Sequence, residues 1–287
     1  MRQPENGAGP AEPEAGLAVT LWGTRGSLPR SGTGFTEFGG DTMCVELRFG
    51  DQVVLVDAGS GIAPAGKALR NAGQTQIDLF FTHSHYDHMM GLPFFAPFYD
   101  PAAQVRLWSG HLHGQMTTQD MLCGFMRKPY FPVGPEVFKA RIETRDFCPG
   151  DVLAGPAGMT VRTGWLNHPD GAVGYRFEIG GRSVAILFDT EHEPGQMDPT
   201  VLDLMQGVDL ALYDAAFTED EFETYRNFGH STWEHAVMLA QQAGVKRLGL
   251  VHHALYRPDA ELVEIDAKAQ DLFPGAFCGR DRQTILL

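Results

Sequence analysis

Four potential metal ligands stand within six residues at the end of one apolar run: Thr82-His83-Ser84-His85-Tyr86-Asp87-His88 closes the segment Ile77–Thr82. A run this apolar, with Asp78 its one charged residue, reads as a strand covered on both faces. The three imidazoles and the carboxylate therefore leave the scaffold together, at a strand-to-helix junction. A polar turn with accidental histidines is the alternative, but burying such a cluster is costly unless something neutralises it. Its nitrogen and oxygen donors suit zinc, manganese or iron rather than a soft thiolate site. The four cysteines, Cys44, Cys123, Cys148 and Cys278, form no C-x-x-C pair. Neither a disulfide framework nor a thiolate zinc site is expected, and a reduced, cytoplasmic setting fits.

The rest of the 287 residues is organised around that junction. The opening MRQPENGAGPAEPEAG reads as a flexible tail over residues 1–16, without the apolar stretch of a secretory signal. Residues 17–287 read as a single domain, and no apolar run reaches the roughly 20 residues of a membrane span. Strands are expected at Leu17–Trp22, Met43–Phe49, Val53–Asp57, Ile77–Thr82, Val105–Trp108, Val137–Ile142, Met159–Leu166, Val173–Ile179, Ser183–Phe188, Val208–Tyr213, Arg247–Val251 and Thr284–Leu287. Gly50–Asp51 is a hairpin signal. Helices are expected at Ile62–Asn71, with Ser60 as N-cap, at Ser231–Ala243 and at Asp259–Ala269. Two blocks of strands accompanied by helices predict an α/β four-layer sandwich, helices outside two packed sheets. Residues 92–130, rich in Phe, Met and His, read as an inserted helical lid that also leaves room for a homodimer contact. Its aromatic residues Phe94, Phe95, Phe98, Tyr99, Tyr130 and Phe131 read as core before binding surface.

The H-x-H-x-D-H run resembles the defining motif of the metallo-β-lactamase superfamily. Four further stations resemble that superfamily in order: Val54–Gly61 (VLVDAGSG), Asn167-His168-Pro169, Leu187-Phe188-Asp189-Thr190 and Leu250-Val251-His252-His253. The resemblance implies an αββα fold and two divalent metal ions, zinc first, with manganese or iron admitted. It implies His83, His85 and His168 as ligands of one metal, Asp87, His88 and His252 of the other, and Asp189 as the bridge. His253 is the rival to His252; a slip of one residue past the strand would point it to the other face. Asp57 reads as support for the His-rich loop rather than as a ligand. Gly23-Thr24-Arg25-Gly26-Ser27-Leu28-Pro29, Phe38-Gly39-Gly40-Asp41-Thr42 and Gly229-His230-Ser231-Thr232 resemble motifs of the phosphodiesterase-like branch. That branch includes transfer-RNA 3′-end nucleases and cyclic-nucleotide phosphodiesterases. The last motif implies His230 as a catalytic histidine, although a residue there can also serve a helix cap.

These readings lead to a dinuclear metal-dependent hydrolase acting on a small phosphodiester or cyclic nucleotide. The nucleophile would be a hydroxide bridging the metals, oriented by Asp87, with His230 and Arg25 serving the developing charge or the leaving oxygen. The alternatives are a carboxyl-ester, lactone or thioester hydrolase on the same metals and, more distantly, a non-catalytic metal-stabilised sensor. Lys plus Arg is 22 against 36 Asp plus Glu, a formal charge of −14. That balance argues against long nucleic acid as a partner and for a small-molecule substrate. Of the other histidines, His111 and His113 read as lid surface, His192 as a neighbour of the bridging carboxylate, and His235 as a solvated helix face.

Overall fold

The computed structural model describes residues 16–287. The expected tail, but for Gly16, lies outside the described residues. One seven-stranded sheet contains β1 (Leu17–Gly23), β2 (Cys44–Phe49), β3 (Gln52–Val56), β4 (Gln76–Phe81), β5 (Gln104–Ser109), β6 (Arg141–Asp146) and the last strand, β14 (Gln283–Leu286). The other contains β7 (Val152–Ala154), β8 (Thr160–Leu166), β9 (Ala172–Ile179), β10 (Arg182–Leu187), β11 (Leu210–Asp214), β12 (Leu248–Val251) and β13 (Ala276–Cys278). Spatial order is β14-β1-β2-β3-β4-β5-β6 in the first and β13-β12-β11-β10-β9-β8-β7 in the second. The first sheet is antiparallel as far as β3 and parallel from β3 to β6.

Alternation along the strands sorts the apolar side chains into three layers. Val54, Val56 and Phe80 of the first sheet meet Val184, Ile186, Leu210 and Leu212 of the second between the sheets. Val53, Leu55, Ile77, Leu79 and Phe81 face outward onto α1 (Ile62–Asn71) and the segment that follows the His-rich loop. Ala185, Leu187, Ala211, Tyr213, Leu248 and Leu250 face the other way, onto α2 (Pro199–Met205), α3 (Trp233–Ala243) and α4 (Asp259–Leu272). Strands buried on both faces need apolar residues at successive positions, which is why β3, β10 and β11 read as apolar runs and β4 is broken only by Asp78, a buried carboxylate that accepts from Arg106 and Trp108. The expected four-layer α/β sandwich is the observed one.

Several details differ from expectation. Residues 92–130 are not a helical lid throughout: β5 lies inside the first sheet between β4 and β6. Phe95 and Phe98 are fully buried in the outer layer. The aromatic residues attributed to one stretch divide: Phe95 and Phe98 are core, whereas Phe94 and Tyr130 stand exposed. The strand expected at Val137–Ile142 is displaced to β6, because Phe138 stacks on Phe98 at 4.4 Å instead of entering the sheet. Ser60 does not cap α1; its hydroxyl binds Asp41 Oδ1 at 2.7 Å and accepts from the Thr42 amide, tying two loops together. The short strands β7 and β13 and the helix α2 carried too little periodicity to be read beforehand.

Because Phe98 is core and not lid, Phe98→Ala is expected to cost about 3–5 kcal/mol. Urea unfolding checks this; a cost below about 1 kcal/mol would return the segment to the surface.

Candidate metal centre

The functional side chains lie where strands of one direction end. Asp57 follows β3, His83 follows β4 by one residue, His168 follows β8, Asp189 follows β10 and His252 follows β12, while Asp214 closes β11. In open α/β sheets such carboxyl ends border the crevice where ligands bind. Asp57, Asp189 and His252 have φ values of 63°, 54° and 60°. Each left-handed turn costs a side-chain-bearing residue roughly 1–2 kcal/mol, and here it swings the side chain off the sheet and across the strand ends.

Three groups of four form among the described residues, the candidate ligand atoms of each within 4.8 Å of one another: one is Asp189, Asp214, His230 and His252, and the two that hold the expected ligands are His83, His85, His168 and Asp189, and Asp87, His88, Asp189 and His252. Asp189 belongs to all three. Its Oδ2 lies 3.5 Å from His83 Nε2 and 3.7 Å from His168 Nε2, and its Oδ1 lies 3.2 Å from both His88 Nε2 and His252 Nε2. The structure thus brings together the seven residues named as metal ligands, grouped as the resemblance implies.

The outer nitrogen of several of these rings is already occupied. His88 Nδ1 donates to Asp57 Oδ2 at 2.8 Å, and His168 Nδ1 donates to the Gly229 carbonyl at 2.8 Å. The Thr82 hydroxyl spends its proton on Asp57 Oδ2 and accepts from His83 Nδ1 at 3.1 Å. With Nδ1 protonated, each Nε2 carries its lone pair toward the centre, the tautomer a metal ligand needs. His83 Nε2, His88 Nε2 and Asp189 Oδ1 are buried without a hydrogen-bond partner. Orphaned acceptors converging on one point are costly to bury unless a cation satisfies them. The donor set therefore fits divalent cations.

The electrostatics agree. Burial lowers the basicity of His83 well below the ordinary histidine value, and the neighbouring His88 adds to the effect. Burial opposes charge on His88 too, but Asp189, Asp87 and Asp57 outweigh it and raise the pKa well above the ordinary value. Burial likewise disfavours the ionised form of Asp189, yet His252, His88 and His83 hold it well below the usual carboxylate range. The three carboxylates thus draw positive charge to this spot.

Around the ligands is a frame of hydrogen bonds. Asp57 accepts from the Thr82 amide, the Thr82 hydroxyl and His88, all within 2.7–2.8 Å, and so supports the His-rich loop. The Ser27 amide donates to Asp87 Oδ2 at 2.7 Å. Glu191, not singled out in the sequence, accepts from the amides of Asn227 and Gly229 and so fixes the carbonyl that orients His168. Gly229 sits at φ 85°, where a Cβ would come within 2.1 Å of His168 Nδ1.

His230 lies beside the ligands, its ring 4.7 Å from that of His252. Its Nδ1 donates to Asp214 Oδ2 at 2.9 Å. Burial would lower its pKa, but the charge and hydrogen bond of Asp214 raise it to about 9. Asp214 was missed in the sequence, although β11 ends on it as the strands before Asp57 and Asp189 end on theirs. His253 is excluded from the groups: its Nε2 donates to the Gly279 carbonyl, and burial pushes its pKa down to about 3.

Arg25 is placed otherwise than expected. Its guanidinium is fully buried and donates to the carbonyls of Gly39 and Arg257 and to Asp259, none of them a member of the clusters. A buried cation with its donors turned to that loop network holds the Gly26–Ser27 turn and offers none to the centre. His235 is also corrected: it is buried and stacks on His192 at 3.8 Å, in line with Phe222. His111 is buried at the end of β5, not lid surface, whereas His113 is exposed.

The family model for the Beta-lactamase superfamily domain matches residues 52–253. A ribonuclease Z of Porphyromonas gingivalis is 23% identical, covering 94% of this chain and 99% of its own length. The metallo-beta-lactamase fold protein YhfI of Bacillus subtilis superposes with a TM-score of 0.73 at 17% identity, over 95% of this chain and all of its own. Human tRNase Z, short form, gives 0.65 at 20% identity, over 93% and 98%. At such identities the superpositions speak for the fold alone. The expectation of a hydrolase of this superfamily agrees with these findings.

The expectation against long nucleic acid is overturned: relatives named ribonuclease Z match over 94% and 88% of this chain and 99% and 92% of their own lengths. The physical error lay in using the total charge of −14: a charge sum says nothing of how cations are distributed. Arg127, Lys128, Lys139, Arg141 and Arg145 are all exposed within one short stretch.

Two substitutions probe the frame without touching a cluster side chain. Gly229→Ala and Asp57→Ala are each expected to weaken divalent-metal binding by about 10–100-fold, read with zinc as the probe ion by competition with a chromophoric chelator. Unchanged affinity in both would show that the frame does not orient the ligands.

Proposed function

This chain belongs to the beta-lactamase superfamily, and from that premise we propose that it is a dinuclear metal-dependent hydrolase of phosphodiesters of the nucleotide class, RNA included. The observation that carries the reading is the pairing of His230 with Asp214 at the rim of a cluster able to hold two cations. His83, His85, His168 and Asp189 would hold one metal, and Asp87, His88, Asp189 and His252 the other, with zinc the favoured ion for this donor set. Two such cations supply an activated water and a polarised phosphoryl group.

The protein's own residues supply the rest. Asp189 and Asp87 bring negative charge to the shared point and offset the repulsion between two cations. The basin beside the ligands, with a volume of about 340 Å³, is bordered by Ser27, His85, Asp87, His168, Phe228 and His230. It is wide enough to seat a phosphate and part of its substituents. Asp214 holds the proton on His230 Nδ1 and stabilises the ring when it is charged. His230 is then a cationic donor at the mouth of the basin, suited to neutralise charge developing on the phosphoryl oxygens or to protonate the leaving oxygen. The relatives named ribonuclease Z support a phosphodiester over a carboxyl ester.

Metal-loaded protein is expected to cleave bis-p-nitrophenyl phosphate and a short RNA. His230→Ala is expected to lower kcat by about 10²–10⁴-fold with metal content unchanged. Asp189→Ala is expected to lose both most activity and most bound metal. Metal-dependent cleavage of p-nitrophenyl acetate alone, indifferent to His230, would overturn the phosphodiester assignment in favour of an ester. Turnover of RNA against cyclic nucleotide, measured side by side, decides the substrate within the proposed class.

A further inference from the structure

Beside the polar basin lies a second, smaller cavity of about 140 Å³ that the chemistry above does not use. It shares Ser27, Phe228 and His230 with the basin, so the two are continuous around the His230 ring. Its character is different. Phe217 and Tyr225 stack at 4.5 Å with an interplanar angle of 7°, and Tyr256 continues the column at 5.9 Å and 25°. Phe228 stands edge-on to Tyr225 at 5.8 Å and 72°. No lysine, arginine or carboxylate lines the cavity. The nearby guanidinium of Arg257 is engaged by Glu221 and Glu261.

This combination selects an occupant. The one cationic donor on its wall, His230, is shared with the basin and serves the phosphate seated there, so a second phosphate or other anion finds no cation of its own. A bare sugar would bring hydroxyls to a wall of ring faces and edges with few partners. A flat aromatic ring meets the surfaces it prefers, offset or edge-on. Phe228 is 59% exposed and Tyr256 40% exposed, large apolar faces left bare beside a reaction centre and free to be covered by a ligand. We propose that this cavity is a ring-binding subsite that takes the nucleobase attached to the phosphate seated in the basin. The inference rests on the phosphodiester reading and adds to it that the substrate carries a base next to the scissile phosphate. Stacking discriminates weakly among bases, because every base offers a π-face. The subsite therefore requires a base without dictating which one.

The test uses metal-loaded full-length protein and two inhibitors of bis-p-nitrophenyl phosphate hydrolysis, adenosine 5′-monophosphate and ribose 5-phosphate, which differ by the base. The nucleotide is expected to inhibit roughly tenfold more tightly. That ratio is expected to fall toward one in Phe228→Ala and Tyr256→Ala and to persist in Phe228→Tyr, which keeps a ring. Both positions are at the surface, and unchanged thermal melting of the variants verifies that they fold. A ratio near one in the unsubstituted protein, or an undiminished ratio in both alanine variants, overturns the subsite. If bis-p-nitrophenyl phosphate is not turned over, the phosphodiester reading fails separately. The same two ligands are then titrated calorimetrically, and the same ratio, in the same variants, decides the subsite.

Discussion

Asp189 is the point where the two halves of the molecule meet. It arrives at the end of β10 in the second sheet, and its two oxygens face histidines delivered by both sheets: His83 and His88 from the loop after β4, His168 and His252 from the ends of β8 and β12. A fully buried carboxylate in such a place is tolerable only if positive charge surrounds it. The sandwich therefore cannot be considered apart from its centre. The apolar layer between the sheets, from Val54 and Phe80 to Ile186 and Leu212, sets the spacing across which those histidines reach a common oxygen pair.

Holding that arrangement falls to loops, and the loops are held by carboxylates bound to backbone amides. Asp259 accepts from the amides of Thr36, Glu37 and Phe38 while binding Arg25. Asp281 accepts from Asp41 and Thr24. These bonds fix the segment from which the Ser27 amide reaches Asp87. Gly26 completes the fit, since a Cβ there would come within 2.3 Å of the His252 ring. The glycine-rich stretches that carried the family resemblance thus have a mechanical reason: backbone must approach ligand rings more closely than a side chain permits. Arg25 belongs to this frame. Its charge is spent inside the protein, which is why its type was informative in the sequence and its assigned role was not.

What was legible in the sequence follows the same division. The strands of the double-faced layers could be read because burial on both sides forces apolar runs. The His-rich loop could be read because its ligands are neighbours in the chain. His252 could be separated from His253 because the strand before it has a definite end, and the structure gives His253 a carbonyl partner instead. Asp214 and Glu191 were not legible: each acts on a residue distant in sequence, Asp214 on His230 and Glu191 on the turn at Gly229. His235 looked solvated beside Glu234, but its helix turns that face onto His192 and Phe222. Phe138 gave a strand signal through packing on Phe98, a contact no local window contains.

The candidate ligands and the walls beside them come from different parts of the fold. Every candidate metal ligand is positioned by a strand end or by the loop after β4, elements whose burial leaves little freedom to vary. The walls of the smaller cavity beside the basin come instead largely from the stretch from Phe217 to His230 and from the turn at Ala254–Tyr256, outside both sheets. His230 stands where the two meet. It is fixed by Asp214 on the strand side, and the same loop places Phe228 and Tyr225 beside it. With His230 as the proposed proton donor, a change in that loop would shift both the donor and the wall that a substrate ring would touch, whereas a change in the cluster would act on the capacity to hold metal. On that proposal, substrate choice would be coupled to catalysis through one short segment.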